Sequence, residues 1–108
     1  MNANFGVKLH INQRKGGITM QSVYKYTIPV EDYFSLDLPK GAKVLTVQEQ
    51  HGEPQLWALV EKGASTEKRN FRLAGTGHPI EEAPDTLNYI GTFQLAGGSF
   101  IGHVFEIK

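Results

Sequence analysis

The residues best suited to chemistry crowd into one stretch, Glu53 to Ile80. It holds the only tryptophan, Trp57, two of the three arginines, Arg69 and Arg72, and the turn-forming run Gly75-Thr76-Gly77-His78-Pro79. An arginine laid over an indole face makes a rigid, amphipathic contact of the kind enriched at binding hot spots. If the chain folds back about Gly63-Ala64-Ser65 as a hairpin loop, residue 57 comes opposite 71 or 72, within cross-strand reach. The plainer reading of the same residues is that Trp57 plugs the core and the Arg72 stem lies over it.

Gly75-Thr76-Gly77-His78 invites comparison with glycine-rich phosphate loops, and the match fails. A P-loop needs Gly-Lys-Ser/Thr opening a helix, and a dinucleotide loop needs a third glycine in register. Here the run follows a strand and enters proline. It reads either as a tight turn that uses glycine for positive φ or as a short nest of N–H groups that holds an anion, with His78 at its rim. The four histidines, His10, His51, His78 and His103, show no spacing that puts two ligands on one element. His103 shares a strand face with Ile101, Phe105 and Ile107 and reads as a hydrogen-bonded core or edge residue. Gly98-Ser99-Phe100 lies in a hairpin, not on a nucleophile elbow. The acid pairs Glu31-Asp32 and Glu81-Glu82 fall in turn-like stretches where nothing would desolvate a carboxylate. The expected binding residues are therefore Trp57, Arg69, Arg72, Gly75, Thr76, Gly77 and His78. No catalytic residue, metal ligand or cofactor is expected.

At 108 residues, with 40% hydrophobic and 20% charged side chains, the chain is the size and composition of one globular domain. With no cysteine, disulfides, zinc–thiolate sites and thiol nucleophiles are excluded. No apolar run approaches the roughly 20 residues that cross a bilayer as a helix, and Phe5 to His10 lacks the apolar core of a signal peptide. The expected location is the cytoplasm. Net charge is zero, but Lys8, Arg14 and Lys15 give residues 1–19 a charge of +3, leaving 8 basic against 11 acidic side chains in residues 20–108. A mildly acidic body lacks the basic stripe that a nucleic-acid binder needs.

The elements that must position these residues are strands. Residues 1–19 are polar, basic and end in Lys15-Gly16-Gly17-Ile18-Thr19. Purine-rich codons for Lys-Gly-Gly resemble a bacterial ribosome-binding site, so Met20 is an expected initiator and 1–19 an upstream leader. The competing reading is an extra strand carried by the alternation of Val7, Leu9 and Ile11. From Ser22 onward β-branched and aromatic residues recur in short runs. These are Ser22–Ile28, Phe34–Leu38, Lys43–Gln50, Gln55–Glu61, Glu67–Ala74, Leu87–Leu95 and Ser99–Ile107. His51-Gly52 and Gly97-Gly98 have the spacing of tight hairpins. Gln55–Glu61 is apolar on both faces and reads as a central strand covered on both sides. Pro79–Thr86 reads as an acidic surface connection, with a short helical turn at Ile80–Ala83 that Pro84 would end. The pattern predicts an all-β domain over 20–108: a six- to seven-stranded antiparallel sandwich or small barrel built from hairpins. Its edge strands would suit a homodimer formed by strand addition.

Several of these runs together carry a resemblance. Glu53-Pro54-x-Leu56-Trp57-Ala58-Leu59-Val60, Lys68-Arg69-x-Phe71-Arg72 and Gly75-Thr76-Gly77-His78-Pro79-Ile80 form its centre. Tyr89-Ile90-Gly91-Thr92-Phe93 and His103-Val104-Phe105-Glu106 extend it. From about Ser22 to Glu106 the chain resembles a family of small uncharacterised proteins encoded by bacteriophages and prophages. The resemblance implies a phage accessory product acting inside a bacterial cell and transfers no functional residues. The expectation is a non-enzymatic protein that binds a host or phage protein, such as a host enzyme or defence system that it inhibits. The alternatives are a protein that binds or sequesters a small ligand, anionic or nucleotide-like, and a minor structural or scaffolding component of the virion.

Overall fold

The computed structural model describes residues 8–12 and 17–108, with side chains from Met20 onward. Of the expected leader, residues 1–7 and 13–16 lie outside the described residues. Lys8–Asn12 is a short strand, β1, antiparallel to the start of β2 (Gly17–Thr27). The remaining strands are β3 (Tyr33–Pro39), β4 (Lys43–Gln50), β5 (Glu53–Glu61), β6 (Thr66–Gly75), β7 (Leu87–Leu95) and β8 (Phe100–Ile107). They form two antiparallel sheets, ordered β1-β2-β5-β4 and β3-β6-β8-β7. The body from Met20 thus contributes seven strands, three to the first sheet and four to the second, stacked as an open sandwich rather than a closed barrel.

Period-two alternation sends one face of each sheet into a shared core. Leu56, Ala58 and Val60 of β5 are buried to 1% exposure or less, as are Leu38, Val47, Phe71 and Val104. Phe34 stacks on Phe71 with ring centroids 5.1 Å apart. Two hairpins form where turn chemistry predicts them. At the β4–β5 turn both His51 (φ 56°) and Gly52 (φ 81°) take the left-handed conformation that a two-residue turn of this hand requires. The β7–β8 turn runs through Ala96–Ser99 between the paired Leu95 and Phe100.

Two local departures from strict alternation matter. A bulge between Val44 and Thr46 lets both Val44 and Val47 face inward, and turns Leu45 out to 44% exposure. Strict alternation of Leu45 and Val47 against Val44 and Thr46 is thereby broken. On β7 a second irregularity precedes Gly91, whose bare Cα faces Val47 so closely that a Cβ would lie 3.0 Å from Val47 Cγ1. The β4 edge of one sheet and the β7 edge of the other meet there.

The expected β5–β6 hairpin does not form. β5 pairs with β2 and β4, whereas β6 pairs with β3 and β8, so residues 62–65 cross from one sheet to the other. The crossing is anchored by Lys62 N–H donating to Met20 O at 2.8 Å and Lys40 N–H donating to Ser65 O at 2.7 Å. Between β6 and β7 the chain runs as a strap whose single short 3-10 turn is Pro84–Thr86, not Ile80–Ala83. Proline at the first position starts such a turn, because its missing N–H would have no partner there. No helix among the described residues is long and apolar enough to cross a membrane.

Candidate functional site

The seven expected binding residues occupy three separate places. Trp57 lies on the outer face of the first sheet, between Lys25 of β2 and Thr46 of β4, half-buried and outside the core. One cross-strand pair away, Leu59 faces Val23, which is 51% exposed. β5 is central in its sheet, but only its Leu56–Ala58–Val60 face is covered by the core. The expected cover on both sides is not found among the described residues.

Arg69 points the other way from Asn70 and Arg72, toward one end of the core. Its Nε and Nη2 donate to the two oxygens of Glu106, the latter at 2.9 Å, and its Nη1 donates to Ala42 O at 2.8 Å. This fork-to-carboxylate match joins β6, β8 and the β3–β4 turn. Glu106 raises the Arg69 guanidinium above its ordinary range, against the opposing effect of burial. Arg69 is thus a tie within the sandwich, with one donor on each guanidinium nitrogen engaged.

Arg72 is the buried cation of the outer face of the second sheet, 6% exposed. The expected stacking of Arg72 on Trp57 is overturned, since the two belong to different sheets. Arg72 instead sits over Tyr33, its β3 neighbour, 4.9 Å from the ring centroid. Its Nη1 donates to Leu73 O at 2.6 Å and Asp32 O at 3.3 Å, its Nη2 to Pro79 O at 3.0 Å, and its Nε to Glu82 at 3.2 Å. The Tyr33 hydroxyl donates to the other Glu82 oxygen. That bond holds the Glu82 carboxyl below its ordinary range, with Arg72 adding to the effect, and the same contact raises the Tyr33 phenol. A depression of about 400 Å³ remains beside this clamp, lined by Asp32, Tyr33, Arg72, His78, Pro79 and Glu81.

Gly75, Thr76, Gly77 and His78 do come together, as a turn closed by His78 N–H donating to Gly75 O at 3.0 Å. Gly77 takes φ 84°, as expected of a glycine-dependent turn. The His78 ring lies directly on Gly75, where any Cβ would come within 2.9 Å of its Nδ1 and Cε1. Thr76 Oγ1 is 2.7 Å from His103 Nε2, His103 Nδ1 is 2.9 Å from Thr92 Oγ1, and Thr92 Oγ1 is 2.6 Å from the Tyr89 hydroxyl. His103 is thus hydrogen-bonded as expected, but it lies outside the core and on the interior strand β8 rather than at a sheet edge. Between this turn and the β7–β8 loop lies a recess of about 220 Å³, bounded by Gly75, Thr76, His78, Gly98, Ser99, Phe100 and Ile101. Among the described residues no three His, Asp or Glu side chains cluster in a way that could hold a metal ion.

Sequence reasoning passed over Tyr33 and Glu82, which complete the Arg72 clamp. Tyr33 opens β3 just before the alternating run Phe34–Leu38, and Glu82 is one of two adjacent acids in a connection. Neither carries a local signal of its role.

Comparison with curated proteins and with solved structures found no match. A family match does cover residues 20–108, the span of the Trp57 face, the Arg72 clamp and the glycine turn alike: the chain belongs to the family of the domain of unknown function DUF7352.

Proposed function

We propose that this is a non-enzymatic β-sandwich protein that binds another protein through the outer face of its β1-β2-β5-β4 sheet. The observation that carries the reading is the placement of Trp57. Among the described residues, the largest side chain in the protein stands at the middle of a sheet face that the core does not cover, with Val23 and Leu59 beside it. A rigid aromatic on a flat, partly apolar face flanked by polar residues fits the anatomy of a protein interface. Lys25 and Lys43, which pair with Trp57 and Leu59 across the strands, favour a partner with acidic residues around an apolar centre. The resemblance of Ser22–Glu106 to phage and prophage products supplies the context, a host or phage protein in the bacterial cytoplasm.

The test is affinity capture from phage-infected bacterial lysate with the whole chain and with Trp57→Ala. The expected outcome is one dominant protein retained by the parent and lost with the variant, while the two melting temperatures stay within a few degrees. Binding of that purified partner should also change the emission of Trp57, the only indole present. Equal recovery by both forms would remove this face from consideration.

A further inference from the structure

The recess between the Gly75–His78 turn and the β7–β8 loop belongs to neither the Trp57 face nor the Arg72 clamp. Its lining contains no carboxylate. The Ser99 hydroxyl donates to Ala96 O at 3.0 Å, so its proton is already engaged. The remaining side-chain donors are the His78 imidazole, held in place against Gly75, and the Thr76 hydroxyl.

Thr76 ends the chain of groups that runs through His103 and Thr92 to Tyr89. A neutral imidazole has one donor and one acceptor nitrogen, so the chain can run in only two directions. When Tyr89 donates to Thr92, Thr92 to Nδ1, and Nε2–H to Thr76, the Thr76 proton is free to point into the recess. In the opposite direction Thr76 donates to Nε2 and offers the recess only lone pairs. An acceptor placed in the recess selects the first arrangement and aligns the whole chain behind one hydrogen bond. Phe100, which packs against the core, and Ile101 also border the space. At about 220 Å³ the space falls below the roughly 300–1,000 Å³ typical of sites for drug-sized ligands.

We propose that this recess binds a small oxyanion, a carboxylate or phosphate bearing at most a short apolar group, through the Thr76 hydroxyl and the His78 imidazole. Because charge-assisted bonds to an oxyanion are stronger than neutral ones, each donor contributes measurably to affinity.

The experiment is a titration of the isotopically labelled whole chain with butyrate in one series and inorganic phosphate in the other, followed by amide and histidine ring NMR. Saturable shifts confined to residues 75–78, 97–101 and the His103 ring are expected, and the series that saturates first identifies the oxyanion class. Thr76→Val, which keeps the side-chain shape, and His78→Phe should each weaken that binding by about tenfold. Shifts that never saturate, that fall elsewhere, or that are unchanged in both variants would overturn the proposal. The parent titration alone decides the matter if either variant folds poorly.

Discussion

Arg72 and Tyr33 are cross-strand neighbours that share one carboxylate. The guanidinium stands 4.9 Å above the Tyr33 ring, and both side chains donate to Glu82 from the strap between β6 and β7. The pair fastens that strap to the outer face of the second sheet. A residue whose type suggested partner recognition is therefore satisfied internally.

Replacing Arg72 should be costly to the fold. Arg72→Met keeps the apolar stem but loses every donor, which leaves the carbonyls of Leu73, Asp32 and Pro79 without that partner. A net loss of about 2 kcal/mol is expected, a fall in Tm of about 10 °C for a domain of this size. Arg72→Lys should recover little, since one ammonium cannot reproduce the fork. Thermal unfolding of the variants would test this, and an unchanged Tm would show that other contacts hold the strap.

The same clamp predicts how stability varies with pH. The folded Glu82 carboxyl titrates below its ordinary value of 4.5, so its contribution is present above that pH and is lost as pH falls through the lower, folded value. Tyr33 has the opposite sign. Its phenol is raised above 10.0, so its contribution is present below that pH and is lost as pH rises through the higher, folded value. Melting temperatures measured from acid to alkaline pH should fall less steeply at both ends for Glu82→Gln than for the parent. Parallel profiles would show that the strap is not held by these two groups.

Gly102 offers a test of core packing that does not involve the surface. Here the side chain of Phe93 crosses the glycine, and a Cβ would lie 2.6 Å from Phe93 Cζ and 3.1 Å from Phe100 Cε2. Gly102→Ala should destabilise by about 1–3 kcal/mol through overpacking. Adding Phe93→Leu should return part of that loss, a coupling visible in a double-mutant cycle from denaturant unfolding.

How far the sequence reveals this molecule differs from element to element. The limits of β4 follow from Pro39-Lys40-Gly41 on one side and His51-Gly52 on the other, because those turns have local chemistry. Which sheet a strand joins has no such marker. Gly63-Ala64-Ser65 would serve a hairpin as well as the crossing it makes, and from that choice came the expected pairing of Trp57 with Arg72. The bulge at Val44–Thr46 breaks alternation where no glycine or proline announces it. The glycine turn was legible because its residues are adjacent, whereas the clamp on Arg72 draws Tyr33 and Glu82 from distant positions that only the folded sheet unites.

The crossing between sheets also sets the order in which the chain can acquire structure. β2 is completed by β5, Tyr24 meeting Ala58, and β3 by β6, Phe34 meeting Phe71. As the chain emerges from a ribosome, neither β2 nor β3 has its long-range partner until β5 and β6 have followed, and the two pairings interlock across the sandwich. Assembly therefore waits on contacts distant in sequence, which are slow to form because long loops must close first. Until then the early strands present bare edges, and this is the interval in which a nascent chain most needs protection from its neighbours.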